Sequence, residues 1–182
     1  MSRVGIYGGT FDPIHKGHLH VITQLIEKKI IDHLLVVPAG QPLLRDLAPR
    51  ATPAQRRTMC ELAVSTLPES ISSHVEVNPT EILRQGPSYA IDTVEAVRRT
   101  YPNDEIFLIM GGDAYSKIDQ WHRADEIHKL ASIICINRPG FGPHGIDIAA
   151  LDVSATSIRQ GLSAEVPEIV AAFIRENRLY DN

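Results

Sequence analysis

Only two of the 182 residues are cysteine, and no Cys-x-x-Cys pair occurs. Cys60 and Cys135 stand far apart inside apolar stretches, which suits buried thiols in a reducing compartment and leaves no disulfide framework or sulfur-based zinc or redox motif. Long hydrophobic runs are missing as well. The first apolar run ends at Gly8-Gly9 after a few residues, too short for a signal-peptide core or a membrane span. Basic runs are also absent: 18 Lys and Arg against 22 Asp and Glu leave a formal charge of -4, without the concentrated positive footprint that a polynucleotide needs. The expectation is a cytoplasmic protein with no nucleic-acid and no membrane partner; whether it forms a homo-oligomer stays open at this level.

Aromatic residues make up 5% of the chain, with one tryptophan, Trp121, but the hydrophobic share is 43%. That is enough apolar surface for one compact domain over residues 1–182, and no repeat, low-complexity tract or linker divides it.

The apolar residues fall into two alternating patterns. Val4 to Tyr7 is a short continuous run closed by glycines, and Leu19, Ile22, Leu25 and Ile26 then recur at helical spacing, giving strand, loop over residues 8–15, and helix. Leu34 to Val37, Ile106 to Met110 and Ile133 to Ile136 repeat the continuous pattern of strands buried on both faces, with a weaker strand at Val75 to Val77. Thr52 before Pro53 predicts a capped helix carrying Met59, Leu62, Ala63 and Leu67. Further helices are predicted over Ser88 to Arg99 and around Ile169, Val170, Phe173 and Ile174. This alternation predicts an α/β fold: a doubly wound, Rossmann-like parallel sheet with helices on both faces and ligands beyond the carboxyl ends of the strands. Arg138 to Gly145 reads as a surface loop. Its Gly140 to Gly145 formally fits GxGxxG, but Pro139 and Pro143 flank and interrupt it and no helical pattern opens there, so it is no dinucleotide fingerprint.

The segment Gly8-Gly9-Thr10-Phe11-Asp12-Pro13-Ile14-His15-Lys16-Gly17-His18 sits where the first strand turns into the first helix. Glycines there let backbone N–H groups approach a ligand, and the helix presents unpaired amides and its positive dipole end to an anion. His15 and His18, three apart, place both rings on one helix face, where each can donate to a phosphate oxygen. A lone histidine here would more often cap the helix or pack against the sheet; the glycines and Thr10 favour phosphate. A pair at this spacing without a third ligand is a poor zinc site, so no metal held by the protein is expected.

This segment resembles the GTFDPxHxGH motif of the nucleotidyltransferase superfamily. Four more segments, Pro38 to Pro42, Pro87 to Thr93, Gly111-Gly112-Asp113 with Trp121 eight residues on, and Val153 to Arg159, are similar to those of nicotinate mononucleotide adenylyltransferases. The resemblance spans nearly the whole chain. It implies ATP and nicotinate mononucleotide as substrates, and Mg2+ as the cofactor, carried with ATP. It implies His15, His18 and Arg159 as catalytic residues. ATP would lie against Gly8, Gly9, Thr10, Phe11, Gly111, Asp113, Ser154 and Thr156, as well as those three. The mononucleotide would meet Thr10, Arg45, Tyr89, Ala90 and Trp121, with the indole stacked on the pyridine ring and amides near Ala90 binding its carboxylate. Three features depart from the family: Pro42-Leu43-Leu44-Arg45 stands where many members read Pro-Pro-His-Lys, Ala90 replaces a common Thr, and Ala155 a common Ser. Two alternatives remain: a phosphopantetheine adenylyltransferase, which lacks the Gly-Asp to Trp spacing, and a nucleotide-binding regulator that has lost turnover.

Overall fold

Alternate residues of the central strands part to opposite faces of one sheet. Val4, Ile6, Leu35, Val37, Ile106, Leu108 and Met110 pack into one apolar cluster, while Tyr7, Leu34, Val36 and Ile109 pack into another. The computed structural model describes residues 1–42, 48–137 and 145–181. Its strands are β1 (Arg3–Gly9), β2 (His33–Pro38), β3 (Val75–Val77), β4 (Glu105–Gly111) and β5 (Ser132–Ile136), all parallel in the order β3-β2-β1-β4-β5. Ile6 of β1 is paired with Leu35 on one side and Leu108 on the other. With both faces covered, the middle residues of β1, β2, β4 and β5 are continuously apolar, whereas β3, at the sheet edge, alternates Val75, an exposed Glu76 and Val77.

Helices α1 (Lys16–Glu27) and α2 (Pro53–Ser65) bury Leu19, Ile22, Leu25, Met59 and Ala63 against the Tyr7 face. Short helices α3 (Glu69–Ser72) and α4 (Thr80–Leu83) flank β3. Helix α5 (Ala90–Thr100) covers the Val4 face through Ile91, Val94 and Val97, and α7 (Ala124–Leu130) joins it through Ile127. Between them lie α6 (Gly112–Tyr115) and a 3-10 turn, Ile118–Gln120. The chain ends with α8 (Ala155–Arg159) and α9 (Glu168–Glu176), whose Val170 returns to the Tyr7 face.

The predicted cap at Thr52 is present: its hydroxyl accepts from the Gln55 N–H at 3.2 Å and its own N–H donates to Gln55 Oε1 at 3.0 Å. The helix expected from Ser88 starts two residues later, at Ala90, after an extended Tyr89 at the N-cap position. Both cysteines are buried and free, and burial pushes the Cys60 thiol well up. Among the described residues, no helix is long and apolar enough to cross a membrane. Leu43, Leu44, Arg45 and most of the Arg138 to Gly145 stretch lie outside the described residues.

The order β3-β2-β1-β4-β5 means that the chain winds outward from β1 in one direction, then crosses back to β4 and winds outward in the other. Connections therefore diverge between the carboxyl ends of β1 and β4, and a crevice opens there.

Candidate active site

A cleft of about 720 Å³ occupies that crevice. Its floor is the end of β1. Gly8 has open space where a Cβ would project, whereas Gly9 is covered by Phe11, whose ring would lie 2.9 Å from an added Cβ. Phe11 turns the chain with a φ of 50°, and its buried ring meets His18 edge-on at 5.0 Å and Tyr7 at 5.8 Å. Its ring thus supports His18 from below while its position still borders the cleft.

His15 is the N-cap of α1, with extended backbone and 3% exposure, and His18 is the third helical residue. The sequence suggested two residues on one helix face; N-cap and third position are instead apposed across the first turn. The rings stack with centroids 3.6 Å apart, and the His15 N–H donates to Nδ1 of His18 at 3.2 Å. The helix end is less open to an anion than expected. The Lys16 N–H donates to the Glu165 carbonyl at 2.9 Å and the His18 N–H to the His15 carbonyl at 2.9 Å, so two amides of the first turn are engaged.

Ser154 caps α8 by accepting from the Ser157 N–H at 3.5 Å, and Ser154 and Thr156 border the same cleft as the histidines. Arg159 does not border it. Its guanidinium, on a side chain 17% exposed, donates to the Asp12 carbonyl at 2.6 Å and to the Thr156 hydroxyl at 3.1 Å. The bonds made by the arginine fork thus go to the protein itself. Gly111 and the exposed Asp113 form the far wall, where β4 runs into α6.

The other end of the cleft is built on Ser88. Its hydroxyl accepts from the N–H groups of Gly40 and Gln41, each at 3.0 Å, which pins the loop after β2 to the start of α5. Gly40 must be glycine, since a Cβ would fall onto the Glu81 carbonyl oxygen. Tyr89, Ala90 and Trp121 line this end, and the Tyr89 ring lies 4.4 Å from that of His122. Trp121 ends the 3-10 turn half-buried against the Val4 face, so it is partly core and partly cleft.

Two groups that line the cleft and one buried against its lining were not singled out from the sequence. Glu81 lines it at 9% exposure and accepts from the Thr93 hydroxyl at 2.7 Å. Burial pushes its carboxyl above the ordinary range, opposed by the hydrogen bonds from Thr93 and Ser88 and by the nearby Arg84 charge. Nothing in its four-residue helix has a period that could have marked it. His122 had one signal, its adjacency to Trp121. Arg56 is wholly buried and donates to the carbonyls of Thr10 at 2.7 Å, Ala51 at 3.3 Å and Gly40 at 3.3 Å. It therefore ties the loop after β1 to the loop after β2. Among the described residues, no group of three or more His, Cys, Asp or Glu could hold a metal ion.

Residues 6–161, from β1 through α8, match the cytidylyltransferase-like family. Over the whole of both chains, the sequence is 31% identical to a nicotinate-nucleotide adenylyltransferase of Bacillus subtilis (strain 168). The chain belongs to the nicotinate-nucleotide adenylyltransferase family. Its fold is that of the Plasmodium falciparum nicotinic acid mononucleotide adenylyltransferase, solved as a complex with NaAD and as a complex with APC. The TM-scores are 0.84 and 0.81, at 20% identity in both, covering 100% of this chain and 98% of that one. In this family member, every candidate residue that is described lies on the cleft except Arg159.

Proposed function

We propose that the chain transfers the AMP part of ATP to nicotinate mononucleotide, giving nicotinate adenine dinucleotide and pyrophosphate in NAD biosynthesis, with the cytoplasm as its setting. Family membership over the full length supports the activity. The observation that carries the site assignment is the continuity of the cleft. One space of about 720 Å³ runs from His18, Ser154 and Thr156 to Tyr89, Ala90 and Trp121, large enough for two substrates to meet end to end.

The reaction joins two anions. A phosphate oxygen of the mononucleotide forms a bond to the α-phosphorus of ATP, and the bond to the pyrophosphate oxygen breaks in line with it. The attacking oxygen is already ionised, so positioning and charge neutralisation supply the catalysis and no general base is needed. His18 donates from Nε2 to the triphosphate, Ser154 and Thr156 donate hydroxyls, and the amides around Gly8 and Gly9 approach from the floor. Arg159 acts through Thr156 and the Asp12 carbonyl, the partners it holds. Magnesium would neutralise phosphate charge while bound to ATP. A lone exposed carboxylate at Asp113 fits an ion that arrives with its own phosphate ligands and needs one protein group at most. At the other end Trp121 stacks on the pyridine ring, and the α5 amides near Ala90 take its carboxylate.

Pyrophosphate release with ATP and magnesium tests this reading. Nicotinate mononucleotide should be turned over with a kcat/KM well above that for phosphopantetheine. Equal or reversed preference would assign the cleft to another acceptor, and no release with either would make the chain a binder.

A further inference from the structure

Asp12 is 3% exposed, and each of its oxygens is used. Oδ1 accepts from the Ala51 N–H at 3.1 Å and from the Tyr180 hydroxyl at 2.8 Å; Oδ2 accepts from the Arg50 N–H at 2.9 Å; its carbonyl accepts from Arg159 at 2.6 Å. This carboxylate joins the loop between β1 and α1, the segment entering α2, and a tyrosine 168 positions later in the chain. The tail beyond α9 is bent to reach it. Arg178, with a φ of 51°, is the left-handed residue that closes α9, its N–H donating to the Arg175 carbonyl at 3.1 Å and that of Leu179 to the Ile174 carbonyl at 3.0 Å, and Tyr180 follows with a φ of 69°, which a non-glycine residue seldom adopts. Arg50 grips the same tail, donating to the Asp181 carbonyl at 2.9 Å with its guanidinium 5.9 Å from the Tyr180 ring.

We propose that Tyr180 is a positioning residue for adenylyl transfer: its hydroxyl, given to Asp12, fixes the loop that carries His15 and seats Arg159. The inference rests on the functional reading above. Burial and the Asp12 charge push the Tyr180 phenol upward, so it remains a donor at neutral pH. Losing it leaves the Asp12 carboxylate two backbone donors and the Arg159 guanidinium 3.9 Å from Oδ2, enough to keep the fold but not to stop the loop from rocking about them. Arg159, bonded to the Asp12 carbonyl and 3.9 Å from its Oδ2, then loses its seat beside Thr156.

Tyr180→Phe removes only the hydroxyl. We expect kcat to fall about tenfold with the melting temperature nearly unchanged, and the loss to shrink to less than twofold in an Arg159→Ala background, because both changes undo one arrangement. A kcat within twofold of wild type overturns the proposal whatever the melting temperature or KM does, and so does an equal loss in both backgrounds. Amide hydrogen exchange reads the latch without turnover. Exchange at Arg50 and Ala51 should quicken at least tenfold in Tyr180→Phe, and unchanged exchange overturns the proposal even in a chain without activity. If wild type is inactive while exchange quickens, the functional reading fails and the latch stands.

Discussion

The backbone N–H of His15 donates to Nδ1 of His18 at 3.2 Å, in the first turn of the helix that follows the glycine bend. Because Nδ1 accepts, the proton of a neutral His18 ring sits on Nε2, at the far side of the ring. A main-chain amide thus selects the tautomer, and the ring becomes a donor of fixed direction, held edge-on by Phe11 at 5.0 Å.

His18→Ala is therefore expected to lower kcat about 10²-fold, the scale of losing one donor aimed at transition-state charge. Its melting temperature should stay near wild type, because the ring is only half-buried. Steady-state kinetics beside a thermal melt separates the two effects; a folded variant with near-normal kcat refutes the assignment.

Trp121→Ala should act on binding. Stacking is made equally in ground and transition states, so KM for the mononucleotide rises roughly tenfold, within the ~1–3 kcal/mol typical of an aromatic stacked on a base, while kcat changes little. An unchanged KM for the mononucleotide with a raised KM for ATP would move the indole to the other substrate.

Glu81 gives stability a pH dependence of definite sign. Its folded carboxyl titrates above the ordinary value of 4.5 because burial disfavours the charge. Between those two pKa values the unfolded chain has released a proton that the folded chain still holds, so stability falls as pH rises from 4.5 through the folded value and then levels off. Urea midpoints of wild type and Glu81→Gln measured from pH 4 upward should show a descending step in wild type that the variant lacks. A step of opposite sign would mean that the Thr93 and Ser88 hydrogen bonds outweigh burial.

Arg56→Met should cost about 3 kcal/mol or more in urea unfolding, because the carbonyls of Thr10, Gly40 and Ala51 lose a buried charged donor together. A loss under ~1 kcal/mol would show that the two loops are held by other contacts.

The sheet was legible because every central strand is buried on both faces and so reads as an unbroken apolar run. The cap at Thr52-Pro53 was legible because its residues are adjacent in sequence. Ser88 was placed in a helix by the apolar pattern that follows it; its hydroxyl instead serves a loop 47 and 48 positions earlier. Distance along the chain also hid Arg56, whose partners lie up to 46 positions away, and the Asp12 to Tyr180 bond. Arg159 was expected at the phosphates because motif residues are read as ligands. A guanidinium has five N–H groups, and the structure gives bonds from this one to Asp12 and Thr156.

A crystal structure with a nonhydrolysable ATP analogue and nicotinate mononucleotide tests the central claim most directly. The account predicts both ligands in the one cleft, with His18 Nε2 within hydrogen-bonding distance of a phosphate oxygen and the pyridine ring over Trp121. A triphosphate bound elsewhere, or a His18 ring turned away from it, would contradict the account.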